Sequence, residues 1–263
     1  MGVQIGTVKT DRFLMDYCKF GQGDRSLIII PGISVQSIMP SAEAIAEAYK
    51  LLTDDFTIYA FDRRKDFPED YSIKDMADDT AEAIRELGLD KVDIFGASQG
   101  GMIAIQIASE YHELVNKLIL GSTSAHVGDE ESRLFDEWIT LAKEGKSEGL
   151  YLAFGEAVYP LETFEQVRDL FIQAAGTVTE EELYRFVTMA ESIKGMDITD
   201  CLDKITCPVL VIGSNDDKVL GADASRFIAS RLKDCELHMY DGYGHASYDT
   251  APDYRQRMLS FLK

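Results

Sequence analysis

No apolar run in this 263-residue chain approaches 18 residues, the length at which a helical membrane span becomes a candidate. Basic residues are scarce as well: 26 Lys and Arg stand against 46 Asp and Glu, a formal net charge of −20. Nucleic acid and anionic membrane surfaces would repel such a chain at long range, so neither is expected as a partner. A solvated acidic surface accounts for the charge. Cysteine is sparse. Cys18, Cys201, Cys207 and Cys235 form no C-x-x-C and stand near no paired histidines, which argues against a zinc site. The N-terminal stretch lacks a basic segment followed by an apolar core, so no signal peptide is read. Gly6 stands where a myristoylation pattern needs Ser or Thr. A cytoplasmic location with free thiols is the resulting expectation. Internal repeats and low-complexity linkers are also missing.

What is present is an ordinary globular composition, 46% hydrophobic and 27% charged, long enough for one α/β domain or a core with an insertion. Ser26-Leu27-Ile28-Ile29-Ile30 and Val209-Leu210-Val211-Ile212 are continuous apolar runs. That pattern predicts strands covered on both faces, as in a parallel sheet. Further strands are expected at 7–9, 13–20, 56–61, 92–95, 117–121 and 236–240. Helices are expected at 41–52, from Ser72 to Gly88, after Gly100, near 222–232 and near 252–262. Ser72 with Asp75, and Thr179 with Glu182, have the spacing of capping boxes. Between about 129 and 195 the strand signal stops and only helical stretches follow one another. Strands alternating with helices give a mostly parallel, eight-stranded sheet flanked by helices, with the helical block as an insertion.

The most specific motif is Gly96-Ala97-Ser98-Gln99-Gly100. By composition alone a chain this long holds roughly 0.1 chance copies of G-x-S-x-G. Here the motif lies between an apolar strand, 92–95, and an apolar helix beginning after it, which is the setting of a nucleophile elbow. A serine hydroxyl needs a base within hydrogen-bond reach. His238 falls inside a strand and His112 near a helix end. His126 precedes the helical block, where it could line a cleft. His245 lies in the loop Asp241-Gly242-Tyr243-Gly244-His245 after a strand, where parallel sheets place their sites, and is the favoured base. The carboxylate that fixes the imidazole is then Asp216 or Asp217, both at the end of the strand Val209–Ile212.

These segments resemble the α/β-hydrolase fold superfamily, in particular its esterase, lactonase and haloperoxidase-like branch, over nearly the whole chain. Phe95 to Gly101 is similar to the family's elbow, 197–213 to its lead-in to the acid, and Gly244-His245 to its histidine loop. The resemblance implies Ser98 as nucleophile and His245 as base and then acid. The family's G-x-x-D spacing selects Asp216 over Asp217 as the orienting acid. It also implies an oxyanion hole made by the backbone N–H groups of Gln99, the residue after the nucleophile, and of Ile33, where Pro31-Gly32 replaces the family's His-Gly. Asp62-Arg63-Arg64 resembles a family segment that has lost its glycines, and a structural arginine anchoring a loop is the expectation there.

By the same resemblance residues 1–122 and 203–263 form the hydrolase core, and 123–202 form a helical cap that supplies the substrate-binding residues. Trp138, Phe154, Tyr159, Phe171 and Phe186 are expected mostly to pack that cap, with a minority facing an apolar pocket. The implied activity is hydrolysis of a small-molecule ester, lactone or thioester through an acyl-enzyme on Ser98, with no metal and no organic cofactor. Hydrolysis of a C–C or amide bond by the same three residues, or a slow-turnover ligand receptor, are the alternatives.

Overall fold

A computed structural model describes residues 2–263; Met1, where the lipidation pattern would begin, lies outside them. Eight strands form one sheet: β1 (Gln4–Lys9), β2 (Leu14–Gly21), β3 (Arg25–Ile30), β4 (Phe56–Arg64), β5 (Val92–Ala97), β6 (Val115–Gly121), β7 (Val209–Ser214) and β8 (Cys235–Tyr240). Their order is β1-β2-β4-β3-β5-β6-β7-β8. The β1–β2 and β2–β4 pairs are antiparallel and every other pair is parallel. The sheet is thus eight-stranded, mostly parallel and flanked by helices, as the sequence predicts.

The apolar runs are continuous because both faces of the sheet are covered. Ile28 and Ile30 of β3 join one core cluster with Val92 and Ile94 of β5 and Val209 and Val211 of β7. Their neighbours Leu27, Ile29, Phe95, Ala97, Leu210 and Ile212 join a second cluster on the opposite face. Alternate residues point to opposite faces of a strand, so a strand buried on both sides has no polar positions to spare. Each fully buried Val, Leu, Ile or Phe contributes about 1.5–3 kcal/mol.

The helices follow the strands. They are α1 (Ala42–Ala48), α2 (Ile73–Glu86), α3 (Gln99–Glu110), α4 (Asp129–Lys143), α5 (Ser147–Val158), α6 (Leu161–Ala175), α7 (Glu180–Ile193), α8 (Thr199–Leu202), α9 (Ala222–Arg231), α10 (Ser247–Thr250) and α11 (Tyr254–Leu262). Both capping boxes form. The Ser72 hydroxyl accepts from the Asp75 N–H and Thr179 from Glu182, with the acidic side chains returning to the cap N–H groups. Each satisfies two donors that a bare helix end would leave unpaired. The helix expected over 41–52 is shorter. It breaks at Tyr49, whose buried ring packs against Phe95 and under the guanidinium of Arg255, and it continues only as a 3-10 turn.

Helices α4 to α8 all lie between β6 and β7. The two ends of this segment are stitched together. His126 and Asp197 form an isolated antiparallel bridge, the Val127 N–H donates to the Met196 carbonyl, and the Ile198 N–H donates to the Ala125 carbonyl. Phe135 and Trp138 of α4 and Phe154 and Val158 of α5 meet Ser98 at the carboxyl end of β5. The helical segment therefore covers the edge of the sheet to which the parallel strands point.

Candidate active site

Ser98 stands between the last residue of β5 and the first of α3, with φ 51° and ψ −121°. A non-glycine residue held at positive φ stores on the order of 1–3 kcal/mol. The surroundings enforce it: the Ser98 N–H donates to the Gly121 carbonyl, and the Ser98 carbonyl accepts from the Gly101 N–H and the Thr123 hydroxyl. The flanking glycines are dictated by space. A Cβ on Gly100 would stand 2.0 Å from the Ile30 carbonyl oxygen, and one on Gly96 would stand 2.4 Å from that of Gly100. Strand, turn and helix close so tightly that neither position has room for a side chain. The turn leaves the Ser98 hydroxyl 6% exposed as part of a covered residue.

His245 follows β8 in a loop whose Gly242 and Gly244 both adopt positive φ. Its Nδ1 lies 2.9 Å from Asp217 Oδ2, and both side chains are 3% exposed. The other oxygen, Asp217 Oδ1, accepts from the N–H groups of Val219 and Leu220 at 2.8 and 3.1 Å. Burial works against the charged form of Asp217. The His245 imidazole and the two backbone N–H groups outweigh it and hold the carboxyl below its usual range. Asp217 is thus an ionised group committed to one imidazole nitrogen.

This corrects the family spacing, which selected Asp216. Asp216 does not reach the imidazole. Its Oδ1 accepts from the Ser214 hydroxyl at 2.6 Å and from the Gly242 N–H at 3.0 Å, and its Oδ2 accepts from the Gly244 N–H at 2.9 Å. Burial again raises its pKa, but these bonds lower it further than burial raises it. The two adjacent carboxylates divide the histidine loop between them. Asp216 holds its backbone and Asp217 holds its side chain.

The loop Pro31-Gly32-Ile33 lies alongside the serine: a Cβ on Gly32 would be 3.1 Å from Ser98 Cβ and 3.7 Å from Ser98 Oγ. Among the described residues, the N–H groups of Ile33 and Gln99 donate to no protein acceptor. They are therefore available to a bound group. Arg63, 4% exposed, fixes this corner by donating through Nη2 to the Pro31 carbonyl at 2.8 Å and to Gln99 Oε1 at 3.2 Å. Burial without a close carboxylate pulls its pKa down to about 10, still far above neutrality. The amide of Gln99 continues outward, donating to the Met189 carbonyl at 2.9 Å and to the Ser192 hydroxyl at 3.2 Å, both on α7.

Ser98 and His245 line one closed space of about 10 Å³ together with Gly32, Ile33 and apolar side chains of the helical segment, room for about one water molecule. Of the aromatic side chains singled out from the sequence, Trp138 and Phe154 line it; Tyr159, Phe171 and Phe186 pack elsewhere in the segment. Phe135 and Tyr248 also line it. Their signal was their position, three residues from Trp138 on one helix face and three from His245. The other histidines stand away from Ser98. His126 pairs loosely with Asp197 at 3.6 Å in a separate surface groove. His238 stacks edge-on against Tyr240 in β8, and His112 is exposed after α3.

A strained serine at a strand-to-helix elbow and a carboxylate-bound histidine at neighbouring strand ends place this sheet among the α/β hydrolases. The family described as serine aminopeptidase S33 matches residues 46–248, and the chain belongs to it. RutD of Rhizobium rhizogenes, provisionally named a carbamate hydrolase, is 28% identical over 83% of this chain and 87% of its own length. The human serine hydrolase BPHL is 23% identical over 95% of this chain and 83% of its own. The alpha/beta hydrolase MGS-M2, from a deep-sea metagenome library of the Medee basin, superposes with a TM-score of 0.87 over 98% of this chain and 97% of its own at 20% identity. The protein is therefore a hydrolase built on the α/β fold.

Proposed function

We propose that this hydrolase cleaves a small carboxylic ester, lactone or thioester through an acyl-enzyme on Ser98. The observation that carries the reading is that Ser98, held at positive φ, shares one closed space with a histidine whose Nδ1 is committed to Asp217. With Nδ1 bound to a carboxylate, the proton of a neutral imidazole stays on Nδ1 and Nε2 is left as the basic nitrogen. Nε2 takes the Ser98 proton as Oγ attacks the carbonyl carbon. The oxyanion that forms accepts from the unoccupied N–H groups of Ile33 and Gln99, and each such donor is worth about 3 kcal/mol in the transition state. His245 then returns the proton to the departing alkoxide or thiolate. Water, deprotonated by the same Nε2, attacks the acyl-Ser98 carbonyl, and collapse of the second tetrahedral adduct releases the acid. Asp217 remains ionised throughout, stabilising the imidazolium.

The test is labelling by a fluorophosphonate together with turnover of p-nitrophenyl esters of increasing chain length. Labelling is expected in the wild type and lost in Ser98→Ala. Turnover is expected to fall steeply in His245→Ala and to survive in His126→Ala. Equal inactivity of wild type and Ser98→Ala across esters, lactones and aryl amides would instead favour a ligand receptor.

A further inference from the structure

The space beside Ser98 has an uneven chemistry. Phe135, Trp138, Phe154, Val158, Val219 and Tyr248 line it, and no Lys, Arg, Asp or Glu does. Trp138 is 1% exposed, and its indole Nε1–H is buried without an acceptor. Its ring neighbours are Phe135, edge-on at 5.3 Å, and Phe154 at 4.9 Å, neither of which has a lone pair to offer. A buried donor without a partner costs stability that an aliphatic or phenyl side chain would not. One placed on the wall of a reactive space is explained if something bound there accepts from it.

The geometry points to an uncharged acyl substrate that carries a second oxygen acceptor, an ether, hydroxyl or carbonyl, which receives the Trp138 indole N–H while the scissile carbonyl lies at Ser98. The substrate class rests on the serine-hydrolase reading above; the donor itself does not. A substrate bearing a carboxylate is rejected, because closing the space over it would strand an anion with no cation on the wall. A purely hydrocarbon acyl chain enters but leaves the indole donor unmet, as it is in the empty site.

Trp138 is the only tryptophan in the chain, so one indole N–H resonance reports on this wall. In 15N-labelled Ser98→Ala protein, methyl methoxyacetate is expected to move that resonance downfield. Methyl butanoate, the same chain with a methylene in place of the ether oxygen, is expected not to, and monomethyl succinate is expected not to bind. In the wild type, kcat/KM for p-nitrophenyl methoxyacetate over that for the butanoate, corrected for their hydroxide-catalysed rates, is expected to favour the ether by about ten-fold, the worth of one neutral hydrogen bond. Trp138→Phe should abolish that preference. Equal indole shifts with both methyl esters, an unchanged ratio in Trp138→Phe, or tight binding of the succinate overturns the proposal and leaves the indole N–H resting on an aromatic face. The resonance experiment needs no replaced tryptophan, so it stands even if Trp138→Phe fails to fold. Because it reads binding without turnover, it also separates failure of this proposal from failure of Ser98 to take a fluorophosphonate.

Discussion

Asp217 Oδ2 lies 2.9 Å from His245 Nδ1, while Asp216, one residue earlier, binds only the backbone of the same loop and the Ser214 hydroxyl. Neighbouring carboxylates thus hold one loop by two different handles.

Asp217→Asn and Asp216→Asn should therefore differ in kind. Loss of the charge on the imidazole is expected to lower kcat by about 10⁴-fold with the fold intact. Loss of the backbone staple is expected to lower kcat far less, while reducing Tm and opening the 242–244 segment to proteolysis. Parallel measurements of kcat on a p-nitrophenyl ester and of Tm decide the matter. A larger kcat loss in Asp216→Asn would reverse the assignment.

The pH dependence of stability has a defined sign. Both carboxyls sit below their usual value in the folded chain, whereas in the unfolded chain they titrate near pH 3.9. Their contribution is fully present above that value and is lost as pH falls through the lower folded values. The Tm gap between wild type and Asp216→Asn should be constant from neutrality to about pH 5 and should close as the pH is lowered beneath about 4. A gap that instead widened with acid would contradict the low folded pKa.

Two glycine substitutions separate space from backbone conformation. Gly100→Ala drives a methyl group to 2.0 Å from the Ile30 carbonyl oxygen and is expected to cost about 3 kcal/mol or more, enough to lose soluble protein. Gly88→Ala meets no atom within 4 Å but keeps φ +68°, so only the left-handed penalty of about 1–2 kcal/mol remains. Urea unfolding of both variants tests the ranking.

Arg63→Gln should act on rate rather than on binding. It removes the charge and shortens the reach to the Pro31 carbonyl and Gln99 Oε1, loosening the two segments whose N–H groups would hold the oxyanion. A fall of about ten-fold in kcat with KM nearly unchanged is expected, from losing part of one donor's contribution. Arg63→Lys should not restore it, because one ammonium cannot reproduce a planar fork. A change confined to KM would place Arg63 in substrate binding instead.

Much of this arrangement is written locally and can be read from the sequence. The runs at 26–30 and 209–212 are continuous because no residue in them faces water, and the two capping boxes require only residues three apart. The elbow is legible because the glycines at 96 and 100 answer a steric need within five residues. Asp216 and Asp217 resist such reading. They share one turn, and which of them meets the imidazole depends on the Asp217 N–H returning to the Ser214 carbonyl at 3.4 Å and on Val219 and Leu220 turning back onto Asp217 Oδ1. Spacing counted from the strand cannot see that curl. The break at Tyr49 was hidden for the same reason: its ring is buried against residues 46 and 206 positions further along the chain.

A space of about 10 Å³ beside Ser98 cannot admit an ester of any size. Each catalytic cycle must then begin with α4 and α5 parting from the sheet, before any bond is made. Under saturating reagent, the rate at which Ser98 is captured would become a clock for that parting, ticking at the same pace for every reagent small enough to enter. The speed of this hydrolase would then be set as much by Phe135, Phe154 and Val158 letting go of one another as by the three residues that carry out the chemistry.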